Sequence, residues 1–213
     1  MRQGSSTRRR LAPAAMAAVL AVVVLAGAAL AHAGDNIYPT ANLFGGNSNC
    51  KDNGQEFCKT DNTSLRYNLN TLGGTVRDNT EDTLQDSYDF TDLNASVQNP
   101  IVWSGCCETD IVYFNVDPPG TLLGITFCED DGSGSKCDQH YVYIDQPVVS
   151  TFNNTKEQSV ACHETGHAVG LAHGDNADPL LNFDDPLLDC MRNGNVFEQT
   201  LGGHNIGQIN GAY

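Results

Sequence analysis

The sequence predicts an α/β (α+β) domain built on one small sheet, and three observations lead to this fold class. Several short β-type runs separated by turn residues lie between residues 65 and 144, with one helical pattern among them. A longer helical pattern over 155–171 follows the last run, and a loop-rich tail comes after it. Strands and a helix followed by a further helix are typical of a single sheet covered by helices.

The first part of this pattern contains two strands and one helix. Residues 65–69 alternate apolar and polar side chains, which predicts a strand. Residues 76–90 carry apolar side chains at helical spacing, which predicts an amphipathic helix. The apolar run after Pro100 predicts a short strand over 101–103.

The second part adds further strands and the two remaining helices. Compact β-type runs predict strands over 111–114, 122–127 and 141–144. An acidic loop rich in Gly and Ser is expected over 129–136. Apolar residues on one side of 155–171 predict a helix, and a short C-terminal helix is expected over 204–209.

The first 33 residues are typical of a secretory signal peptide. Arg2 and Arg8–Arg10 precede an apolar run over 11–30, and Ala31-His32-Ala33 places small residues where a signal peptidase cleaves. A membrane anchor is the alternative, because about 20 apolar residues can span a bilayer. The small-x-small ending favours cleavage. We therefore expect a secreted, extracellular protein without a stable membrane anchor after cleavage.

Residues 34–213 then form one predicted domain, which begins with an irregular segment over 34–63. Four of the 11 basic side chains and none of the 26 acidic ones lie in the leader, so the remaining chain carries a formal net charge of −19. A surface this acidic repels nucleic acid and anionic membranes. The charge does not select a particular peptide substrate.

All eight cysteines follow the leader, and an even number in an exported chain predicts disulfides. A bond between Cys50 and Cys58 would hold the irregular segment. A bond between Cys128 and Cys137 would close a hairpin-like tip. A cysteine zinc site is the alternative, but the sequence has no C-x-x-C pair.

The strongest chemical pattern lies in residues 163–173. His163 and His167 are four residues apart, so a helix places both imidazoles on one face, where they can bind one ion. His173 would lie about 9 Å further along the axis if the helix continued. Gly170 can end the helix in the left-handed conformation, and the chain can then bring His173 to the same metal.

Three histidine ligands predict a catalytic zinc site, because the fourth position is left for water. Zinc lowers the pKa of such a water to about 7, and Glu164 directly follows the first ligand. Its carboxylate would take the water's proton as general base and pass it to the leaving amine. The implied reaction is hydrolysis of a peptide bond. His140 and His204 each stand alone and are expected to be surface or core residues.

This segment resembles the signature of the metzincin zinc endopeptidases, H-E-x-x-H-x-x-G-x-x-H followed by a Met-turn. Met191 is the only methionine after the leader and matches the Met-turn residue, which supports the metal site from beneath. The resemblance implies a small, twisted, mostly parallel sheet backed by helices. It also implies a zincin active-site helix, with a cleft over the zinc.

Three upstream segments are also similar to metzincins of the matrixin branch, and the chain looks like small secreted bacterial proteins of that type. Residues 109–114 resemble a sheet strand, and 141–145 resemble the strand before the active-site helix. Leu123, Gly124 and Ile125 resemble the edge strand that pairs with an extended substrate peptide. Gly174 after the third histidine, and the lack of a tyrosine after Met191, leave the subfamily open.

The sequence also suggests a third disulfide and a calcium site. Cys162 adjoins His163 and Cys190 adjoins Met191, so we hypothesise that the two cysteines form a disulfide. Acidic stretches supply oxygen ligands of the kind that calcium prefers, and solvated acidic loops are the alternative because no EF-hand spacing is present. Their acidic residues are Asp130, Asp131 and Asp138, or Asp175, Asp178, Asp184 and Asp185.

Together these features predict a monomeric, secreted zinc endopeptidase that acts on protein or peptide substrates and does not bind nucleic acid. One alternative is a zinc-binding protein that uses its cleft to hold a partner, and the presence of Glu164 argues against it. A zinc amidase acting on cell-wall peptides is another alternative, and metal chemistry alone does not separate it from a peptidase.

Overall fold

Six strands form one mixed sheet, and helices cover the face of the sheet that carries the core. The computed structural model describes residues 34–40, 50, 57–132, 134, 136–194 and 196–213. The predicted signal peptide, 1–33, lies outside the described residues, as do 41–49 and 51–56 of the N-terminal segment. Residues 34–213 belong to one compact unit.

The sheet is mostly parallel, with one antiparallel strand. Its strands are β1 Lys59–Thr60, β2 Arg66–Asn68, β3 Ser96–Val97, β4 Ile111–Asn115, β5 Gly124–Asp131 and β6 Lys136–Ile144. They are ordered β1-β6-β4-β2-β3 with parallel pairings, and β5 pairs antiparallel with β6. Among the described strands, β5 has no second neighbour, so it leaves an open edge. The predicted α+β class is confirmed.

Four α-helices accompany the sheet within the described residues. They are α1 Gly74–Asp86, α2 Gln146–Val149, α3 Asn154–Ala168 and α4 Gly203–Ala212. Short 3₁₀ turns lie at Tyr88–Phe90, Gly174–Asn176 and Pro186–Met191. No helix in the described part of the chain has the length and apolar character needed to cross a membrane.

Alternating burial along β6 shows how the sheet meets its core. Val142 and Ile144 are buried, whereas Tyr141 and Tyr143 between them are half-buried. Strands alternate their side chains between two faces, so one face of β6 lies on the core and the other carries the aromatic rings. The aliphatic residues Val142 and Ile144 alternate with the two tyrosines, at the period of two that a strand has.

Buried polar contacts attach α3 to the sheet and to α1. The Thr165 hydroxyl donates to the carbonyl of Ala161 at 2.6 Å, so the Tyr113 hydroxyl of β4, 2.7 Å away, donates to Thr165. Asn79 of α1 donates to the Glu157 carboxylate at 2.7 Å. Buried polar groups are tolerated when they are hydrogen-bonded, and they then restrict the packing to one arrangement.

Several predicted elements differ from the structure. The segment predicted to be irregular over 34–63 contains β1, the helix predicted over 155–171 ends at Ala168, and the strand predicted over 122–127 begins at Gly124. No strand forms over 101–103; the backbone N–H and C=O of Val102 are instead satisfied by Thr109 across the loop. The acidic loop predicted over 129–136 is shorter, because Glu129–Asp131 continue β5 and Lys136 begins β6 beside the Cys128–Cys137 bond. The helix predicted over 76–90 ends at Asp86 and is followed by a 3₁₀ turn.

The side chain of Asn153 caps α3 by accepting a hydrogen bond from the backbone N–H of Lys156 at 3.1 Å. We expect Asn153→Ala to lower the free energy of unfolding by about 1 kcal/mol, because the Lys156 N–H loses its side-chain acceptor and keeps only the Asn153 carbonyl at 3.0 Å. Urea unfolding of the two proteins measures the difference. Asn153→Asp keeps an acceptor and is the control; equal stability of the alanine variant and the parent would contradict the assigned cap.

Candidate metal centre

Three imidazoles meet at the predicted metal site. The Nε2 atom of His163 lies 3.1 Å from Nε2 of His167 and 3.0 Å from Nε2 of His173. Ligands of a tetrahedral zinc ion lie about 3.3–3.4 Å apart when each Zn–N distance is about 2.0–2.1 Å. The three nitrogens are therefore spaced closely enough to bind a single ion.

Hydrogen bonds from the other ring nitrogens fix the tautomer of two of these imidazoles. His163 Nδ1 lies 2.8 Å from the carbonyl oxygen of Cys190, and His167 Nδ1 lies 2.8 Å from that of Leu171. A carbonyl oxygen only accepts, so each Nδ1 carries the proton and each Nε2 keeps its lone pair. This is the arrangement that orients metal-bound histidines in known sites, and it shows that the residues fit a metal ion.

Burial also keeps the three rings neutral. It lowers the pKa of His163 and His173 to about 4, with charge repulsion from His173 contributing at His163. Burial lowers the pKa of His167 well below its usual value, with further repulsion from the other two rings. A metal must compete with protons for imidazole. At neutral pH these rings are already in the form that binds a cation.

Gly170 ends α3 as the sequence predicted. Its φ is +95°, the N–H of Leu171 donates to the carbonyl of Gly166 at 2.8 Å, and the N–H of Gly170 donates to that of His167 at 3.0 Å. This pair of bonds is a Schellman motif, which turns the chain away from the helix axis. The N–H of Ala172 then donates to the carbonyl of Asn36 at 2.7 Å. This hydrogen bond holds the chain after α3 against the N-terminal segment, at the residue directly before His173.

Met191 is fully buried beneath α3, at the end of the Pro186–Met191 turn. Its sulfur occupies the space next to Gly166, where an added Cβ would lie 2.2 Å from Sδ. Gly166 stands between the first two histidines and therefore allows the methionine to approach the helix backbone. The sequence indicated Met191 but gave no reason to single out Gly166.

Disulfides join all three cysteine pairs that the sequence suggested, with Cys162 bonded to Cys190, Cys50 to Cys58, and Cys128 to Cys137. The first of these joins α3 to the turn that carries Met191. Because the carbonyl of Cys190 also accepts the hydrogen bond from His163, the bond fixes the acceptor that orients the first histidine.

Glu164 is buried beside the triad, with 6% of its surface exposed. Burial raises the pKa of its carboxyl to about 7, and a hydrogen bond with Thr126 lowers it. The Thr126 hydroxyl of β5 lies 2.8 Å from Oε2 and 2.9 Å from the carbonyl of Glu164. Gly124 leaves the space that the carboxylate occupies, since an added Cβ would lie 2.8 Å from Oε1. Neither role was visible in the sequence.

A cleft of about 610 Å³ runs along β5 and contains the triad and Glu164. Leu123, Gly124 and Ile125, which the sequence assigned to an edge strand, line one wall, although the strand itself begins at Gly124. Phe57 stacks on the ring of His167, with centroids 4.0 Å apart, and meets His173 edge-on at 5.6 Å. The sequence missed Phe57 because its segment has no periodicity.

The remaining candidates lie away from the cleft. His140 is buried in β6 with Nε2 3.1 Å from the carbonyl of Cys58, and burial lowers its pKa to about 4. His204 lies in α4. Within the described residues, the histidine triad alone brings three metal-binding side chains close enough to share an ion. The acidic stretches considered for calcium form no such group there.

We expect the free energy of unfolding of the double variant Cys162→Ala/Cys190→Ala to be about 3–4 kcal/mol lower than that of the parent protein, as the length of the closed loop implies. It should also bind zinc more weakly, because the Cys190 carbonyl is no longer held beside His163. Denaturant unfolding and a competitive zinc titration measure the two effects. Cys128→Ala/Cys137→Ala is the matched control, expected to lose stability but keep zinc affinity; equal affinity loss in both variants would contradict this role.

Comparison with known proteins gives no independent assignment of this site. The chain matches no protein-family model, and it matches no curated protein. Its chemistry is therefore inferred from the geometry of the triad, Glu164 and the cleft.

Proposed function

We propose that the protein is a secreted zinc-dependent endopeptidase of the metzincin type. The observation that carries the proposal is the convergence of three neutral imidazoles beside a buried carboxylate, in a cleft along an open strand edge. Three disulfides in the folded unit support an oxidising, extracellular environment.

His163, His167 and His173 would hold the ion. Neutral imidazole nitrogen suits zinc, and three protein ligands suit a catalytic rather than a structural site. Zinc bound there would supply a Lewis acid that polarises a peptide carbonyl and lowers the pKa of water.

Glu164 would serve as general base. Burial makes this carboxylate more basic, so it can accept a proton from water and return it to a leaving amine. The Thr126 hydroxyl holds Oε2, and the missing side chain at Gly124 leaves room for the carboxylate. Thr126 and Gly124 are therefore positioning residues for the base.

The open edge of β5 supports a peptide as substrate. An extended chain can pair with an exposed strand through main-chain hydrogen bonds, and Leu123–Ile125 lie beside the triad where such a chain would run. Apolar side chains from α3 and the C-terminal segment, among them Val160, Val196 and Phe197, also line the cleft. Main-chain pairing recognises a peptide backbone regardless of its sequence.

Glu164→Gln tests the proposal directly. We expect hydrolysis of casein by the zinc-loaded protein to fall about 10²–10⁴-fold, because the amide cannot accept a proton. Zinc content should stay unchanged, which controls for folding. Cleavage should also stop on chelation and return with zinc.

Parallel incubation with peptidoglycan separates the other two functions. Zinc-dependent release of peptides from peptidoglycan, without casein cleavage, would identify an amidase. A protein that binds zinc but cleaves neither substrate would be a binding protein, and the peptidase proposal would be wrong.

Thr126→Val tests how the base is positioned. Loss of the hydrogen bond removes a contact that stabilises the Glu164 carboxylate, so its pKa rises further. The carboxylate is the active form. Activity is therefore lost at pH values below the new pKa, and we expect the acid limb of kcat/KM to move upward by about one pH unit. Thr126→Ser keeps the hydroxyl and should retain the pH dependence of kcat/KM of the parent protein. If the acid limb does not move in Thr126→Val, Thr126 does not position the Glu164 carboxylate.

A further inference from the structure

Cys106 and Cys107 are the two cysteines left unpaired when the other six form disulfides. Both are exposed, and they are adjacent in sequence. Exposed free thiols are unusual in a domain whose remaining cysteines are all oxidised, since the conditions that form one set of bonds also act on the other. The pair lies in the loop that leads into β4.

The backbone of this loop forms a tight turn around the two cysteines. The N–H of Glu108 donates to the carbonyl of Gly105 at 3.2 Å, which places Cys106 and Cys107 at the centre of the turn. Cys107 has a φ of +83°, a conformation that is uncommon for residues other than glycine. The side chain of Gln98 donates to the Cys107 carbonyl at 2.9 Å and holds the turn. Such outliers persist only where the surroundings impose them.

The two thiols influence each other's ionisation. Hydrogen bonding with Cys107 and charge repulsion from it raise the pKa of Cys106. The turn allows the two sulfurs to approach each other, whereas two adjacent cysteines in an extended strand point to opposite faces.

We propose that Cys106 and Cys107 are a redox-active dithiol that closes to a vicinal disulfide. A low-molecular-weight or protein disulfide is the oxidant: one cysteine thiolate attacks it and releases one thiol, and the second cysteine displaces the other. The S–S bond between Cys106 and Cys107 forms, two cysteine protons are lost, and the oxidant leaves as two thiols.

This bond would be the most easily reduced one in the protein. Adjacent Cα atoms across a trans peptide are about 3.8 Å apart, which is shorter than the ~4.4–6.8 Å usual for disulfides. Strained and exposed disulfides have more oxidising potentials than buried ones. By contrast, Cys162 and Cys128 have no exposed surface, and the Cα atoms of their bonds are 5.9 Å and 5.8 Å apart.

The site is separate from the candidate metal centre. The turn precedes β4, and none of its residues lines the cleft beside β5. The thiol chemistry can therefore be measured without zinc or substrate, and its test is independent of the proposed peptidase activity.

Thiol labelling of the intact, folded protein tests the proposal. The protein is equilibrated with oxidised glutathione, freed of it, and treated with N-ethylmaleimide without denaturant. We expect a monomer that takes no label and weighs about 2 Da less than the form with both thiols free. Mild reduction with millimolar reduced glutathione should then add two labels, mapped to Cys106 and Cys107, while the other three disulfides stay closed.

Cys107→Ser is the matched control, because it leaves one thiol that cannot close the ring. After the same treatment Cys106 should carry a glutathione adduct or accept one label. If the parent protein also carries glutathione adducts, dimerises through these cysteines or takes two labels before reduction, the vicinal disulfide is excluded. Reduction of a different pair first would exclude its role as the labile bond.

Discussion

The meeting of three imidazole lone pairs at one point is the constraint on which the rest of this structure depends. Neutral nitrogens that face one another gain nothing by themselves, so the protein must orient the rings. It holds His163 and His167 through their Nδ1 atoms, with the backbone carbonyls of Cys190 and Leu171 respectively. The helix, the turn that ends it and the later methionine turn therefore have to be correctly placed together.

Buried polar groups help to hold α3 in place. Tyr113 reaches Thr165 from the sheet, and the hydroxyl of Tyr88 donates to the carbonyl of Cys162 at 2.9 Å. Both contacts lie on the part of the helix that bears the histidines. A purely apolar interface would permit small rotations of the helix, whereas buried hydrogen bonds lose their geometry when it rotates. This rigidity keeps the Nε2 atoms within bonding distance of one ion.

The sequence predicted the parts of the site that depend on local spacing. Two histidines four apart, a glycine at the helix end and a single methionine are readable without a fold, and the fold class followed from the order of strands and helices. Thr126, Gly166 and Phe57 could not be found in this way, because their roles depend on contacts between distant segments. The strand expected over 101–103 does not form for a related reason. Side chains of Thr109 and Gln139 bind the backbone N–H and C=O of Val102, which are then not available to pair with a neighbouring strand.

The pairing of the N-terminal segment with the chain after α3 affects the order in which the site can assemble. Ile37 bridges Leu171, and the side chain of Asn36 donates to the carbonyl of Ala172, 136 positions later in the chain. Contacts between such distant positions form late in folding because a long loop must close first. Before they form, α3 offers an ion only two histidines. A site with all three histidines would therefore be complete only after these long-range contacts have formed, and a minimal fragment that keeps His173 in place must retain residues 35–38.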